Sequence, residues 1–283
     1  MSDSTKYTSK LAGSRILIIG GSSGIGLSVA EACIEHGALV AISSSNPQRV
    51  QDAVSRIQST YPSSSSRIHG LTVDLSAPST LESELEKVLI SSVSTLGGQL
   101  NHIIFTAGDA LATIPLSDMN YENVAAAGQI RFFAPLLLAK YIPKYLKKSY
   151  KSSYTITTGS ISERPMGNWS VVASYATGLH GMVRNLALDL KPVRVSLPSN
   201  SCFQTCLLMI RVQVNGISPG VVNTELWRMD EEAKEKMMKS MGEKLATGRA
   251  GQPEDVAESY LALLKDGNMT GGMVRTDGGG LFM

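Results

Sequence analysis

The apolar run Ile16–Ile19 passes directly into Gly20-Gly21-Ser22-Ser23-Gly24-Ile25-Gly26, and then into helix-spaced Ile25, Val29, Ala32 and Cys33. A strand, a glycine-rich turn and a helix in immediate succession leave few folds open. Gly20 permits the tight turn off the strand. Gly24 lets backbone N–H groups approach a ligand closely, and Gly26 lets the helix pack against the strand end. The first turn of such a helix presents unpaired N–H groups and the positive end of its dipole, which favour an anion such as a pyrophosphate. One strand and one helix cannot bury each other fully, so the unit requires a larger sheet around it.

The rest of the chain supplies one. Short apolar runs at Leu39–Ile42, Ile68–Val73, His102–Phe105, Tyr154–Thr158, Val212–Ile217 and Met273–Thr276 alternate with helix-spaced sets, such as Val50, Val54 and Ile57, or Leu81, Leu85 and Val88. Strict βαβα alternation demands parallel strands, because each right-handed crossover returns through a helix. The expectation is an α/β chain, a doubly wound Rossmann fold with a parallel seven-stranded sheet and a ligand crevice beyond the carboxyl ends of the strands. The 283 residues fit one α/β domain, and residues 1–283 are read as a single domain. An apolar share of 43% against 18% charged residues supports a large core and excludes a disordered chain. A net charge of +2 gives no general basic field, so nucleic acid is not an expected partner. The longest apolar stretches, such as Phe132–Leu138, are far shorter than the ~20 residues that cross a bilayer, and no membrane partner is expected. Residues 1–14 hold two lysines and no apolar segment, so no secretory signal is expected and the location is read as cytoplasmic. Cys33, Cys202 and Cys206 are an odd number that argues against a disulfide framework. The spacing Cys202-x₃-Cys206 lacks an accompanying His pair, so no metal is expected. His36, His69 and His102 sit at element edges, and Lys144, Lys147, Lys148 and Lys151 close the helix before Tyr154.

The spacing G-x-x-x-G-x-G resembles the short-chain dehydrogenase/reductase family, and the resemblance covers nearly the whole chain. Asp74-Leu75 resembles the family's adenine-contacting pair. Asn215-Gly-Ile-Ser-Pro-Gly-Val-Val-Asn-Thr224 resembles its segment beside the nicotinamide, with Pro219, Gly220, Val222 and Thr224 as contacts. Gly248-Arg-Ala-Gly-Gln-Pro-Glu-Asp-Val-Ala257 and Thr270-Gly through Asp277-Gly-Gly279 match its C-terminal landmarks. The implied cofactor contacts are Gly20, Ser22, Ser23, Gly24, Ile25 and Gly26 in the loop, with Ala107 and Gly108 after His102–Phe105. An NAD site places a carboxylate after the second strand for the ribose 2′-OH. Here that place reads Ser43-Ser44-Ser45-Asn46-Pro47, followed by Arg49, and Ser44, Ser45, Asn46 and Arg49 offer donors to a phosphate dianion. The cofactor is therefore read as NADP. By resemblance the chain is also expected to form a homo-oligomer.

At the chemical centre the pattern departs from the family. Tyr175 stands where the family's acid/base tyrosine does, but the lysine expected on the same helix face is Leu179. Either Ser160 or Ser162 fills the serine slot, and Ser160 lies nearer the strand end. The usual asparagine aligns near Ile130 and is followed by Arg131, a permanent charge. Tyr175, Ser160 and Arg131 are the candidate catalytic residues, with His180 as another electrostatic aid. Gly167-Asn-Trp169-Ser-Val171 resembles a divergent branch in bacteria and fungal secondary-metabolite pathways, whose fungal members reduce iminium or carbonyl groups and in a few cases steer a cyclisation. Those members carry an acidic residue near the position of Met166.

Three functions are consistent with these residues. The first is an NADPH-dependent reductase of a medium-sized, largely apolar carbonyl or imine small-molecule substrate. The second is a cofactor-binding protein without turnover, and the third a non-redox cyclase that keeps NADP as scaffold. Thr224–Lys244, rich in methionine, reads as a helix or as a lid. Ser63–Ser66 reads as a solvated loop. Val193–Ile210 places about eighteen residues where αβ loops usually take 2–6. It is read as an insertion at 193–210, either on the substrate side or, the favoured reading, as a short intron translated in frame.

Overall fold

The computed structural model describes residues 5–190 and 212–283. Seven strands form one parallel sheet in the order β3-β2-β1-β4-β5-β6-β7. They are β1 (Arg15–Ile19), β2 (Leu39–Ser44), β3 (Ile68–Thr72), β4 (His102–Phe105), β5 (Ser153–Thr157), β6 (Gln213–Pro219) and β7 (Met273–Thr276). The expected doubly wound Rossmann arrangement is what the chain adopts, and each strand lies within two residues of its sequence-based bounds. The helices are α1 (Gly24–Glu35), α2 (Pro47–Thr60), α3 (Leu81–Thr95), α4 (Tyr121–Gly128), α5 (Ala134–Ala139), α6 (Ile142–Tyr145), α7 (Ser170–Asp189), α8 (Glu231–Gly242) and α9 (Pro253–Lys265).

Alternation along β1 divides the core in two. Leu17 and Ile19 face a cluster built with α3, α5 and α7, whereas Ile16 and Ile18 face one built with α1, α2 and α9. All four are essentially inaccessible to solvent, and each contributes about 1.5–3 kcal/mol through burial. With both faces covered, the central strands read as continuous apolar runs rather than alternating ones. The sheet order reverses between β1 and β4, so the loops leaving those strands diverge and open a crevice at the carboxyl edge.

Two stretches differ from the sequence-based reading. The helix expected after β4 is broken into α4, a wide π-turn at Gln129–Phe133, α5 and α6. Pro135 has no N–H to donate to the Arg131 carbonyl and Pro143 none for Ala139, so a regular helix cannot run through either point. The Ser63–Ser66 run is not a plain solvated loop. It lies in a 3₁₀ turn, Pro62–Arg67, with Ser64 buried and bonded to Arg67. The expectations placed on Val193–Ile210, Cys202 and Cys206 lie outside the described residues.

His102 opens β4 fully buried, its Nδ1 2.8 Å from the Ser153 hydroxyl on β5. Burial pushes its pKa from 6.5 down to about 4, so the folded chain holds it neutral. The unfolded chain takes up the proton first as pH falls. The stability His102 contributes is therefore complete above pH 6.5 and is lost as pH drops toward 4, by about 3 kcal/mol. Denaturant unfolding across this range is expected to show that decline, and His102→Asn, which keeps a donor for Ser153, is expected to flatten it.

Candidate active site

The crevice at the carboxyl edge of the sheet is a cleft of about 1020 Å³. Its floor is set by close approach of backbone. A Cβ on Gly26 would overlap the Gly20 carbonyl oxygen and lie 2.6 Å from Thr106 Oγ1. A Cβ on Gly20 would overlap the backbone nitrogen of Ala107. Thr106 closes this junction by donating its hydroxyl to the carbonyls of Ile19 and Gly20, at 3.2 and 3.1 Å. Gly20 and Gly24 adopt left-handed φ values of 95° and 50°, which side-chain-bearing residues rarely reach. Ser23, at the N-cap of α1, makes no side-chain cap hydrogen bond, so the first N–H groups of α1 stay open toward the cleft.

All of the residues expected at the cofactor line this cleft: Gly20, Ser22, Ser23, Gly24, Ile25, Gly26, Ser44, Ser45, Asn46, Arg49, Asp74, Leu75, Ala107, Gly108, Pro219, Gly220, Val222 and Thr224. Asn46 has a second use, because its Oδ1 accepts from Arg49 N at 3.0 Å and caps α2, leaving its amide N–H groups for a ligand. Arg49 is exposed and enters no ion pair among the described residues. No carboxylate stands at the tip of β2. Asp74 accepts from Ser76 N at 2.9 Å, and those hydrogen bonds hold its carboxyl below the usual range.

The expected catalytic residues Tyr175, Ser160 and Arg131 line the other end. The π-turn carries Arg131 to Asp109, Nε to Oδ1 at 3.0 Å, with a second bond from Nη2 to the Asp109 carbonyl. Gly108 makes room for the guanidinium, since a Cβ there would lie 2.9 Å from it. Burial disfavours the charged form of Arg131, Asp109 opposes that effect, and the positive charge of Arg228 adds to it. Ser160 begins the turn after β5, which is tied to α7 through Thr158 Oγ1 donating to Ala176 O at 2.8 Å. The alternative serine, Ser162, is bonded to His180 Nε2 at 2.9 Å, and neither of these two lines the cleft. Tyr175 donates its hydroxyl to the Val124 carbonyl at 3.0 Å. Its ring packs on Phe132 and Phe133, with centroids 5.3 and 5.9 Å apart. Gly128 grants it space, because a Cβ would come within 2.5 Å of the ring. Burial, then the nearby Tyr121, raises the pKa of Tyr175. Leu179 is buried in the core and supplies no cation to lower it.

Several lining residues were not anticipated, among them Leu111, Arg164 and Leu245, while Arg228 and Lys244 fall in the segment read as a helix or a lid. Arg228 was not singled out within that segment, Thr224–Lys244. Asp230 gives the missing signal: its carboxylate accepts from Ala233 N at 2.8 Å, so α8 starts at Glu231 and leaves Arg228 in the loop before it.

The fold and the site together define a Rossmann-type protein with a glycine-lined anion cradle and a separate polar centre. The SDR-like Rossmann domain model matches residues 7–210 and 204–283, the two stretches overlapping inside the segment read as an insertion. The chain belongs to the short-chain dehydrogenase/reductase family of oxidoreductases. It is 40% identical over 280 residues to the short-chain dehydrogenase/reductase fsr5 of Gibberella fujikuroi, covering 98% of each chain. It is 38% identical over 269 residues to the short-chain dehydrogenase/reductase ATR9 of Stachybotrys chlorohalonatus, covering 95% of this chain and 97% of the relative. Among solved structures it resembles the MalC reductase/Diels-Alderase of Malbranchea aurantiaca, with 35% identity and a TM-score of 0.84 over 98% of this chain and 100% of that one.

The cradle geometry makes a direct expectation. Gly26→Ala is expected to lower stability by about 1–3 kcal/mol in denaturant unfolding, through overpacking against Gly20. Gly167→Ala, with nothing within 4 Å of the added methyl, is expected to change it by less than ~0.5 kcal/mol.

Proposed function

We propose that the protein is an NADPH-dependent reductase of a carbonyl or imine in a medium-sized, largely apolar metabolite of secondary-metabolite biosynthesis. One observation carries the reading. The open N-terminus of α1 and the carboxylate-free tip of β2 share a single cleft with Arg131, Ser160 and Trp169. The residues present fit the cofactor: a cradle that any Cβ would fill, unpaired helix N–H groups, and hydroxyl, amide and guanidinium donors together at Ser44, Ser45, Asn46 and Arg49. The glycine loop would hold the diphosphate, and those four donors the 2′-phosphate. Asp74 and Leu75 would contact the adenine, and Ala107 and Gly108 would flank the dinucleotide from the β4 side. Pro219, Gly220, Val222 and Thr224 would border the nicotinamide. Bound NADPH supplies the hydride that adds to the carbonyl or iminium carbon.

The chain's own residues do the rest. Arg131, fixed by Asp109, stabilises negative charge developing on a substrate oxygen. Ser160 orients that oxygen through its hydroxyl. Tyr175 stays protonated, since burial raises its pKa and no lysine lowers it, so it serves as a neutral proton donor in the reducing direction. To reach the substrate it exchanges the Val124 carbonyl for the substrate oxygen or nitrogen. The likeness to fungal relatives, one of them described as a reductase/Diels-Alderase, supports the reductase reading.

A second reading is an NADP-holding protein that shapes a substrate, or guides its cyclisation, without redox turnover. It is favoured by the Tyr175 hydroxyl being committed to Val124 and by Leu179 at the lysine position. NADPH consumption and product formation, followed together across a panel of carbonyls and cyclic imines, separate the two. The reductase is expected to consume NADPH in step with product, to lose about 10²-fold or more in Arg131→Leu, and to lose about 10²-fold in Tyr175→Phe. Product without NADPH consumption, unaffected by Tyr175→Phe, favours the second reading. Tight NADPH binding with no turnover on any compound overturns the first.

A further inference from the structure

Arg228 occupies an unusual backbone position. It closes the short turn Glu225–Trp227 with φ 44° and ψ 48°, the left-handed region, where a branched or long side chain is disfavoured by roughly 1–2 kcal/mol. The conformation is fixed from both sides. Trp227 donates its indole N–H to Val222 O at 2.8 Å, and Asp230 is committed to capping α8 through Ala233 N. Strain held in this way concentrates where a side chain must be aimed at a ligand.

Arg228 is exposed and lines the mouth-side wall of the cleft together with Arg131 and Arg164. Its charge is close enough to that of Arg131 to oppose it. Two carboxylates at this end, Asp109 and Asp277, are otherwise engaged. Asp109 pairs with Arg131, and Asp277 accepts from Gly279 N and Leu281 N at 3.0 and 3.1 Å. Glu225, which also lines the cleft, reaches the glycine loop, its Oε2 lying 3.4 Å from where a Cβ on Gly24 would be. Among the described residues no carboxylate lies within 4 Å of Arg228. Residues 191–211 contain neither Asp nor Glu. Arg164 is anchored by Nη1 to the Gly280 carbonyl at 2.5 Å, which neutralises none of its charge. Two guanidinium groups near each other, with the Asp109 carboxylate paired to Arg131 alone, leave a positive charge open to a further anion.

We propose that Arg228 binds a carboxylate on the substrate, so that the molecule reduced is an amphiphilic keto or imino acid. Its apolar body lies against Trp169, Trp227 and Leu111, and its acid group lies against Arg228 beside Arg131. The inference rests on the reductase reading, which makes this the substrate end of the cleft. A diphosphate of the cofactor is the other anion of the same chemistry, and the experiment separates the two.

Both tryptophans of the chain line the cleft, so their fluorescence reports occupancy without turnover. The NADP⁺-loaded protein is titrated with 4-oxo-4-phenylbutanoate and 6-oxo-6-phenylhexanoate, and with the methyl ester of each. The acids are expected to bind at least about tenfold more tightly than their esters, with the preference shrinking at high salt. Arg228→Asn, which tolerates the left-handed backbone, is expected to reduce the preference to within about twofold, and Arg228→Lys to restore part of it. NADPH affinity, measured separately, is expected to change less than twofold in either variant. Equal binding of acid and ester by the unaltered protein overturns the inference. So does a loss of NADPH affinity in Arg228→Asn as large as the loss for the acid, which assigns the anion to the cofactor. Failure of the unaltered protein to bind NADPH at all counts instead against the reductase reading beneath it.

Discussion

The contact on which the site depends is the seating of the first turn of α1 on the end of β1. Gly26 rests on the Gly20 carbonyl with no space for a methyl group, while Gly20 rests on Ala107 at the end of β4. Three backbone segments from two loops thus touch at the point where the sheet order reverses. This contact keeps the N–H groups of α1 open and aimed along the carboxyl edge. It also sets the position of Thr106–Asp109, and through Asp109 the position of Arg131. One steric condition therefore connects the anion cradle to the polar centre at the other end.

The second condition is the break in the helix after β4. Pro135 withholds one hydrogen bond, and the chain widens into the π-turn that turns Arg131 toward Gly108 and Asp109. The same turn supplies Phe132 and Phe133, which fix the ring of Tyr175. Leu179 is consistent with this arrangement. Its side chain is buried at the wall of the cleft and brings no charge to the Tyr175 hydroxyl. The charged group at this end of the cleft is Arg131 from the π-turn, held by Asp109 from the loop after β4.

The sheet was legible because burial on both faces leaves a simple record, as in Ile16–Ile19 and His102–Phe105, where every residue must be apolar or internally satisfied. The cradle was legible for a different reason. Its glycines are demanded by close approach and positive φ, which other residues cannot meet. The π-turn was not, because Pro135 and Pro143 announce an interruption without specifying its geometry. Arg228 was not singled out because Thr224–Lys244 reads as a whole as helix or lid, and only the Asp230 cap marks the true start of α8. The engagement of the Tyr175 hydroxyl with Val124 depends on packing between two helices, and local sequence carries no record of it. Val193–Ile210 lies outside the described residues, and its reading rests on sequence alone.

The proposed preference for a dinucleotide with a 2′-phosphate rests on the carboxylate-free tip of β2 and the donors of Ser44, Ser45, Asn46 and Arg49. Calorimetric titration of the full chain with NADPH and, separately, with NADH tests it most directly. One NADPH per chain is expected, bound at least about tenfold more tightly than NADH, since a phosphate dianion gains charge-assisted bonds that a hydroxyl does not. NADH binding as tight as NADPH, or no heat of binding with either, would contradict it.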